Sequence, residues 1–138
     1  MADRKRILIA DDDPDLLDLL KFDLTHHGYE VLVANNGKDA LAISLSDHEI
    51  DIALLDVMMP YIDGYHVAYE ITSKLGPKAP RIVIMTSRDT EREKGVAVMS
   101  GAIDFIQKPF DIADLHRRLE KEAESRPPED GTGPSPSH

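Results

Sequence analysis

Short apolar runs that alternate with helical patterns constrain this fold more than any other feature of the sequence. Three runs of four residues are wholly apolar, at 7–10, 52–55 and 82–85, and a weaker run spans 103–106. Continuous β-rich runs of this length favour strands covered on both faces, as in a parallel sheet. A fifth run, 29–33, alternates more strongly, which is typical of an edge strand.

Helix signals fill the segments between these runs. Asp13 and Pro14 provide a capping residue and a first-turn proline, Leu16, Leu20 and Leu24 recur at helical spacing, and Gly28 follows as a stop. Further helical patterns are predicted at 37–46, at 64–75, at about 89–100, and from 111 onwards. The order is thus βα repeated five times, and right-handed crossovers then predict a single doubly wound (βα)5 α/β sandwich.

Length and composition limit the chain to one folded unit. Its 138 residues are about the size of one domain. Residues 125–138 contain no aliphatic, aromatic or Met side chain and include four prolines, so they have nothing to bury that would offset the entropy of ordering. We therefore predict a folded domain at 1–124 and a disordered tail or linker at 125–138.

Charge and residue types exclude several functions. The net charge of −10 argues against direct nucleic-acid binding by this domain, because phosphate neutralisation needs clustered Lys and Arg. The absence of Cys excludes disulfides and thiolate catalysis. The apolar runs are too short for a membrane span or a signal-peptide core, so we expect a cytoplasmic protein without membrane contact. The six histidines show no pair at a metal-ligand spacing.

Polar residues follow four of the apolar runs, where ligand sites of open α/β sheets lie. They are Asp11, Asp12 and Asp13 after the first run, Asp56 after the third, Thr86 and Ser87 after the fourth, and Lys108 after the last. Asp13 is best explained as the cap of the first helix. The remaining carboxylates, the Thr86 hydroxyl and the Lys108 ammonium are predicted to converge at one edge of the sheet.

This set of groups favours a magnesium site that carries phosphoryl chemistry. Asp11, Asp12 and Asp56 contribute three negative charges against one positive charge from Lys108. Two carboxylates 4 Å apart repel by roughly 4 kcal/mol at an effective dielectric constant of 20, and a divalent cation would relieve that repulsion. Oxygen-only ligands favour Mg²⁺, and a positioned aspartate can attack phosphorus.

The motifs at these positions resemble the receiver domain of two-component response regulators, over about residues 4–124. The resemblance is carried by Ile-Leu-Ile-Ala-Asp-Asp-Asp-Pro at 7–14, Leu-Leu-Asp-Val-Met-Met-Pro at 54–60 with Asp-Gly at 63–64, Ile-Met-Thr-Ser at 84–87, Gly-Ala at 101–102 and Lys-Pro-Phe at 108–110. It implies the flavodoxin-like fold of the chemotaxis regulators, with a parallel five-stranded sheet in the order 2-1-3-4-5.

The same resemblance implies a phosphorelay function. Asp56 would accept a phosphoryl group from a histidine kinase or a phosphotransfer protein. Mg²⁺, or Mn²⁺ in its place, would bind Asp11, Asp12, Asp56 and the main-chain carbonyl of Met58. The output would be read by a separate protein or by a C-terminal effector module beyond this chain, from a monomer or a phosphorylation-dependent dimer.

Further roles implied by the resemblance concern the switch. Thr86 and Lys108 would bind the phosphoryl oxygens, and Phe105 would follow Thr86 inward and change the face formed by the fourth helix, fifth strand and fifth helix. Many receivers carry Tyr at the Phe105 position, so a hydrogen-bonded inward state is not available here. Met58 and Arg88 occupy positions that influence phosphoryl lifetime in the family, and Lys108-Pro109 resembles its cis peptide.

Several alternatives stay open from the sequence. A degenerate receiver would act as a phosphorylation-independent docking module. An aspartyl-phosphate phosphatase of the haloacid-dehalogenase type would use Asp11 and Asp13, but it leaves Asp56 unexplained. A flavin-binding protein is disfavoured because three aspartates would repel the phosphate, and no nucleotide-binding Gly-x-x-x-x-Gly-Lys-Ser/Thr motif occurs.

The charged run at 91–94 is predicted to be a solvated helix face.

Overall fold

The computed structural model describes residues 5–47, 49–88 and 91–125. Its five strands and five helices alternate strictly along the chain. In order they are β1 (Arg6–Ala10), α1 (Pro14–His26), β2 (Glu30–Ala34), α2 (Gly37–Ser46), β3 (Ile52–Asp56), α3 (Gly64–Leu75), β4 (Arg81–Thr86), α4 (Glu91–Met99), β5 (Asp104–Gln107) and α5 (Ile112–Ser125), with a short 3₁₀ turn at Gly76–Lys78. The predicted (βα)5 order is confirmed.

All strand pairs are parallel, and the sheet order is β2-β1-β3-β4-β5. This is the predicted order of the doubly wound fold. β2 is an edge strand, as its alternating pattern predicts, whereas β1, β3 and β4 lie between two neighbours and are almost wholly buried. The carboxyl ends of all five strands therefore meet at one edge of the sheet.

The helices cover the two faces of the sheet in unequal numbers. α1 and α5 pack on one face, where Leu20, Leu24, Leu115 and Leu119 share a core cluster with Ile9 and other strand residues. α2, α3 and α4 cover the other face, in a cluster that contains Ala40, Val67, Ala68, Ile71 and Ala97. The predicted stripe on α1 is shifted by one residue at its start, because Leu17 is buried and Leu16 only partly so.

Local signals explain most of the helix boundaries. The Asp13 side chain accepts the amide N–H groups of Asp15 and Leu16, which confirms its capping role, and Gly28 takes a positive φ of 96° just beyond α1. α4 begins at Glu91, and the predicted start at 89 lies outside the described residues. α5 reaches Ser125, one residue into the predicted tail, whose remainder also lies outside the described residues.

The prediction of a solvated face at 91–94 is wrong for one residue. Glu93 is only 9% exposed, because its side chain turns toward α3 instead of water. Tyr65 on α3 donates its hydroxyl proton to Glu93 Oε1 at 2.6 Å, and the Arg88 guanidinium lies 3.5 Å from Glu93 Oε2.

Among the described residues, no helix combines the length and the apolar character that a bilayer crossing needs.

Candidate functional site

Three carboxylates meet at the carboxyl edge of the sheet. Asp11 follows β1, Asp12 comes next along the chain, and Asp56 is the last residue of β3. One carboxylate oxygen from each residue lies within 4.8 Å of the others. Asp11 is fully buried and Asp56 is 5% exposed, whereas Asp12 is exposed to solvent. The sequence-predicted carboxylates are thus brought together, with an opening on the side of Asp12.

The sheet fixes these carboxylates through neighbouring parallel strands. β1 and β3 are adjacent, so their ends present Asp11 and Asp56 side by side. Gly64, at the start of α3, packs so closely under β3 that a Cβ there would lie 2.2 Å from the Asp56 carbonyl oxygen. Its amide N–H donates to the Val57 carbonyl at 2.9 Å. Glycine is therefore required for α3 to begin directly behind the Asp56 turn.

Lys108 brings a positive charge into the cluster from the end of β5. Its ammonium donates to Asp11 Oδ2 at 2.6 Å and lies 3.1 Å from Asp56 Oδ1. The Lys108 amide N–H donates to the Thr86 carbonyl at 2.7 Å, and the peptide bond to Pro109 is cis. The lysine side chain therefore bridges two carboxylates that come from different strands.

Electrostatics at the site leave an excess of negative charge. Burial raises the pKa of Asp56 to about 6, and the neighbouring Asp11 carboxylate acts in the same direction, while Lys108 only partly opposes them. The two carboxylates in turn raise the pKa of Lys108 above its ordinary value although burial opposes this. Three carboxylates and one ammonium carry a formal charge of −2. A compact, oxygen-only donor set of this charge fits Mg²⁺.

One hydrogen bond and one ion pair, both made by Arg88, connect Thr86 to α4. The buried Thr86 hydroxyl accepts the Arg88 amide N–H at 3.0 Å, and the Arg88 side chain reaches Glu93 on α4. Burial and the hydrogen bond to Glu93 raise the pKa of the Tyr65 hydroxyl, so Tyr65 remains a donor at neutral pH. Sequence reasoning missed this use of Glu93, because a glutamate in a Glu-Arg-Glu-Lys run carries no signal that distinguishes it from solvated neighbours.

The remaining predicted residues differ in how deeply they are buried. Phe105 on β5 is partly buried and packs against the core cluster under α4. The Met58 side chain is 61% exposed in the loop after β3, and the Arg88 side chain is 64% exposed. The Arg88 guanidinium pairs with Glu93, and the lifetime roles of both side chains and the metal role of the Met58 carbonyl stay predictions.

Comparison with known proteins identifies the family. The family model of the response regulator receiver domain matches residues 7–120. The chain is also 37% identical over 130 residues to the response regulator MprA of Mycolicibacterium vanbaalenii, an alignment that covers 94% of this chain and 55% of MprA. The chain therefore belongs to the receiver domains of response regulators, the signalling modules of two-component systems. It spans about half the length of the curated relatives it matches.

Solved structures agree with this fold. A CheY-like receiver domain protein from Methanospirillum hungatei is similar with a TM-score of 0.83 and 26% identity, over 90% of this chain and 97% of that chain. TrrA from Thermotoga maritima, solved in complex with Mg²⁺ and BeF, is similar with a TM-score of 0.76 and 34% identity, over 86% of this chain and 98% of TrrA. The predicted flavodoxin-like receiver fold is confirmed.

Proposed function

We propose that this domain is a phosphoacceptor switch in which Asp56 receives a phosphoryl group from a histidine kinase or a phosphotransfer protein. One observation carries the proposal: Asp56 is a nearly buried carboxylate whose neighbours are two further carboxylates and the Lys108 ammonium. Membership of the receiver family supports the same reaction class.

The Asp56 carboxylate oxygen attacks phosphorus, and the bond between phosphorus and the donor nitrogen breaks, which leaves an acyl phosphate on Asp56. Asp11, Asp12 and Asp56 would hold Mg²⁺, together with the main-chain carbonyl of Met58. Mg²⁺, or Mn²⁺ in its place, supplies charge neutralisation for the phosphoryl oxygens when it is bound. TrrA supports this cofactor, since it was solved with Mg²⁺ and BeF.

Lys108 and Thr86 respond to the new charge on Asp56. The Lys108 ammonium already contacts Asp56 and would donate to a phosphoryl oxygen from the same position. The Thr86 hydroxyl would turn toward the phosphoryl group as a donor, and Phe105 would move into the space that Thr86 leaves. Because Arg88 donates its amide N–H to the Thr86 hydroxyl, this rotation would break that hydrogen bond. It would thereby also disturb the ion pair between Arg88 and Glu93 on α4.

The surface that would change lies between α4, β5 and α5. A groove of about 480 Å³ runs along it, lined by apolar side chains that include Val98, Ile103 and Phe105 and by the charged Lys94 and Arg118. An output protein, or an effector module following this domain in a longer chain, would read this face. We expect phosphoryl transfer to Asp56 to take place in the cytoplasm. We expect the domain to act as a monomer or a phosphorylation-dependent dimer.

Met58 and Arg88 would tune the lifetime of the acyl phosphate. Each residue follows a site residue, Asp56 or Thr86, by two positions, and both side chains are largely exposed, so they would hinder or admit the water that hydrolyses the phosphoryl group. The domain would thereby take part in its own phosphorylation and dephosphorylation. The result of phosphorylation would be a changed surface between α4, β5 and α5.

Intact mass after incubation with acetyl phosphate and Mg²⁺ tests the acceptor. We expect a single labile adduct of one phosphoryl group in the wild type and none in Asp56→Asn or without metal. If the wild type gains no adduct from acetyl phosphate or from phosphohistidine donors, the domain is instead a phosphorylation-independent docking module.

Lys108→Ala tests the switch separately from the chemistry. The variant should fold and still accept a phosphoryl group, but the phosphorylation-linked chemical shift changes on α4 and β5 should be largely lost, because the ammonium no longer contacts the group. NMR of the beryllofluoride-treated wild type and variant measures this. Shift changes of wild-type size in Lys108→Ala would contradict the assigned role.

A further inference from the structure

A second cluster of metal-ligating side chains lies at the contact between α1 and α5. It consists of Asp23 on α1, His27 at the end of α1, and His116 on α5. One ligand atom from each side chain lies within 4.8 Å of the other two. Asp23 is nine residues along α1 from Pro14, about 14 Å from the helix start near the acidic site. The cluster is therefore separate from Asp56 and its neighbours.

The fold holds these residues from two directions. Asp23 and His27 are four residues apart, so they share one side of the last helical turn. The His27 amide N–H donates to the Asp23 carbonyl at 3.1 Å, and its ring Nδ1 lies 2.8 Å from the same oxygen. From α5, His116 Nε2 lies 2.5 Å from Asp23 Oδ2, and the two imidazole rings have centroids 4.0 Å apart.

Burial of the cluster is graded from the helix contact toward solvent. The His116 side chain is 14% exposed and the Asp23 side chain 20% exposed, whereas that of His27 is 51% exposed. Two ligands are thus held in place by packing. The third ligand leaves an open path through which an ion can enter and water can complete its coordination.

The donor set indicates which ion would bind. Two imidazoles and one carboxylate are a donor combination that zinc and other first-row divalent ions take in proteins, whereas Mg²⁺ prefers oxygen-only sites. Donor atoms around tetrahedral zinc are about 3.3 Å apart, given bonds of about 2.0–2.1 Å. The His116–Asp23 pair must therefore open by only about 1 Å, which side-chain rotation supplies.

We propose that Asp23, His27 and His116 form a binding site for a divalent transition-metal ion, Zn²⁺ in the first instance, that links α1 to α5. Binding would move the proton off His116 Nε2, to Nδ1 of the same ring or to the buffer, and replace the hydrogen bond with metal bonds from His116 and Asp23. His27 would add the third bond from a ring nitrogen that carries no proton. The site is independent of phosphoryl transfer at Asp56, so the two assignments stand or fall separately.

Calorimetric titration of the full 138-residue chain with ZnCl₂ tests this site, in a Mg²⁺-containing buffer and without an affinity tag. We expect one Zn²⁺ per chain with a Kd in the micromolar range or below. His116→Ala and His27→Ala should each weaken binding at least tenfold. Because His27 is half exposed, its variant should fold even if the loss of His116 disturbs the α1–α5 contact.

Matched controls separate this site from other zinc ligands. His26→Ala removes the neighbouring exposed imidazole, and Asp12→Ala disables the acidic cluster; both should leave the Zn²⁺ Kd within twofold of wild type. Imidazole nitrogen shifts in NMR should move for His27 and His116 on titration. A wild-type Kd above about 100 µM, or equal losses in His26→Ala and His27→Ala, would overturn the proposal and leave Asp23–His116 as a hydrogen bond between helices only.

Discussion

The acidic cluster at the strand ends and the histidine cluster on α1 and α5 are assembled in different ways. Asp11 and Asp56 lie at the carboxyl ends of adjacent parallel strands, so the register of the sheet brings their side chains together. Asp23 and His116 are 93 residues apart, and only the packing of one helix against another makes them neighbours. Strand-end residues can therefore be grouped from a sequence pattern, whereas residues on the sides of helices cannot.

The two clusters also differ in what holds their charge. Asp11 and Asp56 lie buried around one ammonium, and burial raises the pKa of Asp56 to about 6. The histidine cluster is more exposed and pairs its carboxylate with imidazoles. The carboxylates of the acidic site thus repel one another, and a divalent ion would relieve that repulsion. The histidine site has only one carboxylate and no such repulsion between carboxylates.

The largest expected effect comes from removing one buried charge. Asp56→Asn should raise the free energy of unfolding of the metal-free protein by about 3 kcal/mol at pH 7.5, because a shift in pKa from 3.8 to about 6 penalises the folded carboxylate. Well below pH 3.8 the carboxyl is neutral in both states and the gain should vanish. It should grow from about pH 3 to pH 6, where the unfolded state ionises first, and then level off.

Urea unfolding from pH 3.5 to 8 measures this difference between variant and wild type. The exposed Asp18→Asn on α1 is the matched control and should change stability by less than about 0.5 kcal/mol at every pH. A pH-independent gain in Asp56→Asn would show that the carboxylate is not the source.

A smaller effect should separate the two clusters by their metals. Asp12→Ala should weaken Mg²⁺ binding at least tenfold, about 1.4 kcal/mol, and remove the rise in melting temperature that Mg²⁺ gives to the wild type. His116→Ala should leave the Mg²⁺ Kd within twofold. Thermal unfolding against Mg²⁺ concentration checks both. An unchanged melting temperature of the wild type at high Mg²⁺ would count against the acidic metal site.

The smallest effect concerns the histidine cluster without any metal. His116→Ala should lower the free energy of unfolding by at least about 1 kcal/mol, since it removes a partly buried hydrogen bond to Asp23. This loss should add to the gain from Asp56→Asn in the double variant, because the clusters share no residue. Urea titrations of the wild type, the two single variants and the double variant measure the interaction energy between the two substitutions. A value above about 0.5 kcal/mol would mean that the two clusters are not independent.

Sequence patterns predicted the fold and the members of the acidic site for one physical reason. Parallel strands are continuous apolar runs, and the residue after each run lies at a common edge, so Asp11, Asp56 and Lys108 were expected to meet. The roles assigned to Met58, Thr86 and Phe105 stay predictions, because they depend on how these groups respond when Asp56 carries a phosphoryl group. Glu93 and His116 were missed, since burial by a neighbouring helix leaves no periodic signal in a short charged segment.

The position of each site residue within the sheet has a consequence for native-state hydrogen exchange. Asp56 ends β3, the central strand, whereas Lys108 follows β5, a four-residue strand at the edge. Amides of β3 should exchange only through global unfolding, while β5 and its loop should open in a smaller, sub-global unit. The segment that carries Lys108 would then open and close many times while β3 stays folded. The Lys108 ammonium could therefore separate from the carboxylates and return without unfolding of the core.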